Sequence, residues 1–574
     1  MNQKMKPQQQ QYSRGNVMER FRPYRSPFRV IAVLALTLMV LFAAIHAAQA
    51  YSVNQASTPA QQTGDSSAPQ GANPDPSCRY GVATLGDSQV PFVGVIGAGW
   101  YIDFSITAVP ASNGAEFAHV ITVKQDKSGA SYLPTYSVTP PLTSGGLGAE
   151  IASNPGALWI VGNEVDRGPN PGDTTSVQGD THPAVYAEAY HAVYHYIKQQ
   201  DPTALVSNSA LVQITPGRMQ YLDLMYNAYV SKFGTGMPVD VWNMHLYILP
   251  EVNPQGQPNG IASVAVGTDP ALGISESYDP DGGGPAGPQD TCASGDVYCF
   301  AEHDSMTAFT EQVVRMRQWM HDHGYRHRPL LLSEYSLLLP YEDDGGTCFV
   351  QDEFGNCFTP SRVQAFMTNT FNYLSTATDP NLGFPADNNR LVQQWLWFSI
   401  HNLGVGQVSN LIQNETSGAL TNLGVTFKSS VEAEPNYINL YPARVNSPFA
   451  FTDGSTTADV TLTARVGNNG PTTAGSFQVT FYSNSALTNV IGSASIPAKS
   501  SSFPGMTGCG TRNIAVSVPW NDLGPGMHHF WVKVDSGNAI TESPPGQDGE
   551  ANNVLRGTVF IDPLQMFLPA VSRR

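Results

Sequence analysis

Charge is what this chain has least of. Asp, Glu, Lys and Arg make up 13% of its 574 residues, about half the share usual in globular proteins, so much of the surface must be neutral polar loop. Basic residues are the scarcer sign, with 29 Lys and Arg against 46 Asp and Glu for a net charge of −17. That argues against nucleic acid as a partner, because phosphate binding needs clustered cations; acidity of this kind serves solubility. No Cys-x-x-Cys pair occurs, which speaks against a thiolate zinc site. The apolar run Val30 to Ile45 falls short of the ~20 residues that span a bilayer.

That run is preceded by Arg20, Arg22, Arg25 and Arg29 and followed by Ala48-Gln49-Ala50, the layout of a signal peptide with its small-residue cleavage site. Residues 1–50 are therefore read as a signal peptide, with an uncleaved N-terminal anchor as the alternative. Either way the remainder is exported, secreted or held at the cell surface. Residues 51–77, rich in Ser, Thr, Gln, Pro and Ala, read as a flexible linker. In an exported chain six cysteines point to disulfides. Cys292 with Cys299 and Cys348 with Cys357 bracket short segments and are expected to staple two loops. Cys78 and Cys509 are left over, either free or paired across domains.

The length predicts two to four domains. From Phe92 to about Ser430, apolar runs alternate with helix-patterned stretches, which favours a parallel α/β fold. Expected strands are Phe92 to Ile96, Phe117 to Val123, Leu158 to Val161, Ala204 to Ser207, Val239 to His245, Pro329 to Ser333 and Gln394 to Phe398, with a weak eighth near Tyr136 to Thr139. Tyr186, Tyr190, Val193, Tyr194 and Ile197 recur at helical spacing behind Pro183, and a second helix is expected over Thr307 to His321. The sum is a (β/α)8 barrel over 78–434, abbreviated in its first half. Residues 251–300 and 340–360 follow strand ends on the side where a cleft would open, so they are expected to shape it. Beyond residue 435 the period changes to two. Segments such as Ala458 to Val466, Phe477 to Tyr482 and His529 to Asp535, separated by Gly-containing turns, predict an all-β immunoglobulin-like sandwich over 435–563. The tail 564–574 reads as a frayed terminus.

Two glutamates carry the functional signal. Trp159-Ile-Val-Gly-Asn163-Glu164-Val-Asp166 and Leu330-Leu-Leu-Ser-Glu334-Tyr335 each place a carboxylate at the end of a continuous apolar run, as a strand buried on both faces delivers a side chain to a barrel mouth. His245 and Tyr247 end another such run, and Trp395 and Trp397 lie on the last one. A carboxylate pair so placed suits glycoside hydrolysis. On these residues the region 90–430 resembles clan A of the glycoside hydrolases, retaining (β/α)8 enzymes that need no cofactor. The resemblance implies that Glu164 is the acid/base, that Glu334 is the nucleophile, that Asn163 bonds the sugar 2-hydroxyl, that His245 or Tyr247 contacts nucleophile or sugar, and that Trp397 forms a sugar platform. The acid/base would need a raised pKa and the nucleophile an ionised carboxylate. Trp100, with Tyr101, is placed just past the first strand, lining the cleft or filling the barrel end. No arginine is found on the second strand to support the nucleophile.

Other constellations read as structural. Glu188, His191 and His195 share a helix face but lack the His-Glu-x-x-His order of metalloproteases, so no metal is assigned. Asp166 is either structural or sugar-binding. Val466-Gly-Asn468-Asn469-Gly470, Asp535-Ser-Gly-Asn538 and Glu542-Ser543 before Asn552-Asn553 resemble bacterial cell-adhesion-related CARDB modules. That resemblance implies an accessory sandwich, a passive stalk or a means of attachment to a cell surface or polysaccharide. The reading is a secreted, monomeric retaining glycosidase with a carbohydrate substrate; the alternative is a glycan-binding adhesin on the same barrel.

Overall fold

The computed structural model describes residues 77–563, apart from 108, 171, 174–175, 177, 254, 259–261, 277–296, 299–302, 339–358, 405, 501 and 547. The leader, the linker up to residue 76, the cysteine brackets Cys292/Cys299 and Cys348/Cys357 and the tail lie outside the described residues. Among those described, no helix is long and apolar enough to cross a membrane.

Largely buried runs, all but the third of them short, build the barrel: β1 Tyr80–Ala83, β2 Trp100–Ile102, β3 Glu116–Ser128, β5 Leu158–Val161, β6 Leu205–Asn208, β7 Trp242–His245, β8 Leu330–Tyr335 and β9 Gln394–Trp397. The order is β6-β5-β3-β2-β1-β9-β8-β7, and every neighbouring pair is parallel. A parallel bridge from Ser207 to Val241 joins β6 to β7 and closes the ring. Side chains alternate across the wall: Ala83, Trp100, Ile102, Ala118, Val120, Ile160, Val241, Leu331 and Leu396 fill the interior. Tyr80, Trp159, Trp242, Leu332, Trp395 and Trp397 point outward against the helices.

The second half carries full-length crossovers, namely α3 Pro183–Gln200, α4 Pro216–Phe233, α5 Met306–Asp322 and α6 Pro360–Thr376, with α7 Asn422–Ala433 closing the ring. The first half is abbreviated, with only α1 Val90–Ile96 and α2 Leu147–Ser153. Two sequence expectations are corrected here. Phe92 to Ile96 is not a strand: Pro91 in the first turn and Gly97 in the left-handed region at its C-cap set a helix, and the true first strands are β1 and β2. Tyr136 to Thr139 belongs to β4 Ser131–Thr139, which pairs antiparallel with β3 as a hairpin outside the barrel.

The C-terminal region is a two-sheet sandwich. Strands β10 Leu440–Val445, β12 Ala458–Asn468 and β15 Asn513–Leu523 face a five-stranded sheet of β11 Phe449–Ala450, β13 Phe477–Tyr482, β14 Val490–Ile496, β16 Gly526–Val534 and β17 Val554–Ile561. Its core is Leu462, Val466, Phe481, Phe530, Val532 and Val559. The sandwich docks on the floor of the barrel, where strands begin. Cys78, just before β1, is disulfide-bonded to Cys509. Arg79 and Asp387, both buried, form a two-pronged ion pair at 2.9 and 3.0 Å, and Arg79 also reaches the Asn469 carbonyl. Arg512 donates to the Gly156 carbonyl below β5 at 2.6 Å.

The disulfide closes a span of 431 residues, and removing a cross-link over a long loop relaxes the unfolded chain. The Cys78→Ser/Cys509→Ser protein is expected to lose roughly 2–5 kcal/mol, measured as a lower midpoint in chemical denaturation. An unchanged midpoint would assign the docking to the noncovalent contacts, those of Arg79, Arg512 and Asn469 among them.

Candidate active site

The fourth, sixth and seventh barrel strands bring their ends together at the face opposite the sandwich. After β5 the chain turns at Gly162, whose φ of 92° suits glycine and where an added Cβ would lie 2.8 Å from Val165. Glu164 follows with a φ of 43°, a left-handed conformation that costs a side-chain-bearing residue roughly 1–3 kcal/mol and persists only where surroundings impose it. Its amide donates to the Ala210 carbonyl, and its own carbonyl accepts from Arg167 N at 3.0 Å. Glu334 reaches the same place by a different device. On alternation alone it would face the helices with Leu330 and Leu332, but the β7–β8 register slips between Leu332 and Glu334 and sets Glu334 level with His245. Such a bulge re-aims a side chain at a barrel rim.

His245 joins the two carboxylates. Its Nδ1 is 3.2 Å from Glu164 Oε1 and its Nε2 is 3.9 Å from Glu334 Oε2. One carboxylate oxygen from each glutamate and a ring nitrogen of His245 all lie within 4.8 Å of one another. The Tyr247 hydroxyl donates to Glu334 Oε1 at 2.7 Å. Glu164 is 5% exposed and Glu334 8%, so the pair is almost out of water.

Burial pushes the Glu334 carboxyl up to about 7, with the Glu164 charge adding to it and His245 and Tyr247 opposing it. Burial also pushes Glu164 up, but the hydrogen bond and charge of His245, with Arg167 and Arg218 behind them, outweigh it and hold Glu164 below its ordinary range. His245 is raised: burial disfavours its imidazolium, and the charges of Glu334 and Glu164 prevail. These directions run opposite to the sequence expectation of a raised Glu164 and an ionised Glu334. His245 is closer to Glu164 and stabilises the anion it touches.

The remaining expected site residues are placed as follows. Asn163 is half-buried beside Glu164, but its amide donates to Gln178 Oε1 at 3.0 Å. Trp397 does not face the cleft: it is fully buried among the helices, edge-on to Tyr335 and Phe371, with its indole donating to the Ser409 carbonyl. From strand eight it is Phe398 that joins the barrel interior. Trp100 lies on β2, not past β1, where its ring covers Gly81 and its Nε1 donates to the Arg79 carbonyl at 3.4 Å; it plugs the floor. Glu188 is paired with Lys232 and His191 stacks on Phe233, so that helix face packs rather than binds. A groove of about 530 Å³ lined by Met219, Val314, Trp319 and neighbours lies on the outer wall between α4 and α5, away from the carboxylates.

Sequence reasoning missed the support behind Glu164. Asp166 is fully buried, with Arg218 Nε 2.8 Å from its Oδ2, a distance for an ion pair without hydrogen-bond alignment. Arg218 also pairs with Glu251. No local pattern marks Arg218, which sits in the first turn of α4; only the folded chain brings it under Glu164. In the sandwich, Asp535, Glu542 and Glu550 likewise group within 4.8 Å.

The CARDB family model matches residues 444–556. The C-terminal sandwich is a CARDB domain. It is similar to a CARDB domain from Pyrococcus furiosus, solved in complex with di-metal ions, at 15% identity over 22% of this chain and 97% of that one, TM-score 0.17. Over the barrel the chain is similar to a family 128 curdlan-specific exo-beta-1,3-glucanase from Blastomyces gilchristii, at 13% identity over 62% of this chain and 100% of that one, TM-score 0.33. It is also similar to a glucosidase from Croceicoccus marinus, at 12% identity over 79% and 95%, TM-score 0.34. At these scores the likeness says nothing about activity. No curated protein matches the chain.

Because the Tyr247 hydroxyl bonds the charged form of Glu334, its removal raises that carboxyl further. Tyr247→Phe is expected to move the Glu334 titration above about 7, read by carboxyl-selective NMR. No movement, or a downward one, would contradict the arrangement.

Proposed function

We propose that the barrel is an exported retaining glycoside hydrolase acting on a poly- or oligosaccharide. One observation carries this reading: Glu164 and Glu334, from the ends of strands four and seven, present oxygens within 4.8 Å of each other. Retaining pairs lie about 5–5.5 Å apart, whereas inverting pairs leave about 6.5–9.5 Å for a water. An oxygen pair this close favours the shorter spacing. In the first step Glu334 attacks the anomeric carbon while Glu164 protonates the leaving oxygen. In the second, Glu164 takes a proton from the water that displaces Glu334 and releases the sugar.

Glu164 must hold a proton when the bond breaks. His245 faces one carboxylate with each ring nitrogen, at 3.2 and 3.9 Å, so its charge acts on both. Tyr247 holds the Glu334 anion. The CARDB domain, docked on the barrel floor, leaves the mouth clear. It can anchor the enzyme to a cell surface or polysaccharide without covering the cleft.

Screening the full chain against poly- and oligosaccharides tests this reading. Glu334→Gln is expected to abolish turnover of any substrate found. Glu164→Gln should lose the roughly 10²–10⁴-fold that a positioned acid/base contributes, with less loss on substrates whose leaving group needs no proton. Full activity in either variant would refute the assignment.

A further inference from the structure

The left-handed turn at Glu164 needs something to hold it, and a buried guanidinium lies just behind it. Arg218 is wholly buried on α4. It lies 2.8 Å from Asp166, two residues past Glu164, and pairs on its other side with Glu251. It also donates to the carbonyls of Ala262 and Ser263 at 3.0 and 3.2 Å. Glu251 is held in turn by Gln213 at 2.9 Å, Thr215 at 2.6 Å and the Ile274 amide at 2.9 Å. The Asp166 carbonyl accepts from Val266 N at 2.8 Å. One cation therefore ties the Glu164 turn to the segment 249–274, which begins beside Tyr247: Leu249 and Ala262 pack with Tyr247 and Val212.

We propose that Arg218 is a positioning residue for Glu164, clamped between Asp166 and Glu251 so that the acid-bearing turn and the segment beside Tyr247 are fixed to each other. This rests on the glycosidase reading for its catalytic consequence, and on geometry alone for the clamp. A planar fork is what the site uses. Lysine keeps the charge but has one point of contact where Arg218 has several, so Arg218→Lys separates position from charge. Two carboxylates share the one guanidinium, Asp166 Oδ1 is buried without a hydrogen-bond partner and Oδ2 accepts from the Val212 amide at 3.3 Å, so loss of Arg218 leaves Asp166 with a single long backbone donor.

The test uses the full chain with Arg218→Lys, Glu251→Gln and Arg218→Met, each checked for folding by thermal unfolding. Steady-state kinetics on a substrate of the unmodified enzyme and the NMR titration of the His245 ring are then compared. Arg218→Lys and Glu251→Gln are expected to lose at least ten-fold in kcat with KM within two-fold and to shift the His245 titration, with Arg218→Lys more active than Arg218→Met. If both folded variants keep kcat within two-fold and the His245 titration unmoved, the proposal is overturned. Should the unmodified protein hydrolyse no glycoside, the glycosidase reading fails separately and the His245 titration in Arg218→Lys decides the clamp: moved supports it, unmoved overturns it. If Arg218→Met does not fold, the other two variants decide.

Discussion

A single imidazole between two buried carboxylates is the constraint on which this structure turns. Two glutamates almost removed from water and within 4.8 Å of each other would repel strongly, since a nearby like charge raises a carboxyl's pKa and burial raises it again. The protein answers with His245, raised toward its charged form by the same two anions, and with the Tyr247 hydroxyl. Three titratable groups this close gain and lose protons as a set. A change in charge on any one of them is therefore felt by the other two.

The two ends of the barrel are given different tasks. At the floor, Trp100 fills the interior, Arg79 and Asp387 lock the strand entrances and Cys78 reaches across to the CARDB domain. These floor contacts serve stability. At the mouth, a left-handed glutamate and a bulged strand store irregularity where chemistry would use it. The buried Asp166–Arg218–Glu251 chain ties the Glu164 turn to the segment 249–274: ionic, inaccessible, and costly to break because removing one partner strands a buried charge.

How much of this was legible depended on length and on parity. The runs ending in Glu164, His245 and Glu334 are continuous and apolar, so their strands and their delivery to one rim could be read directly. Tyr80–Ala83 and Trp100–Ile102 are too short to show a period, and the β-branched stretch Phe92 to Ile96 looked more like a strand than either until its proline and glycine caps are weighed. Trp397 shares the face of Trp395 by simple alternation along β9, which turns it from the cleft. Glu334 faces the cleft only because a bulge breaks alternation, and no sequence pattern announces a bulge. Arg218 and Glu251 were illegible because their pairing joins α4 to a distant segment, and Cys78 with Cys509 could be paired only once the floor of the barrel was seen.

The anomeric configuration of the first-formed product decides the central claim. Proton NMR of a glycoside being hydrolysed by the full-length protein, recorded before mutarotation, should show the configuration of the cleaved bond retained. An inverted product would mean that a water fits between Glu164 and Glu334 during catalysis, and would contradict the double displacement that their separation supports.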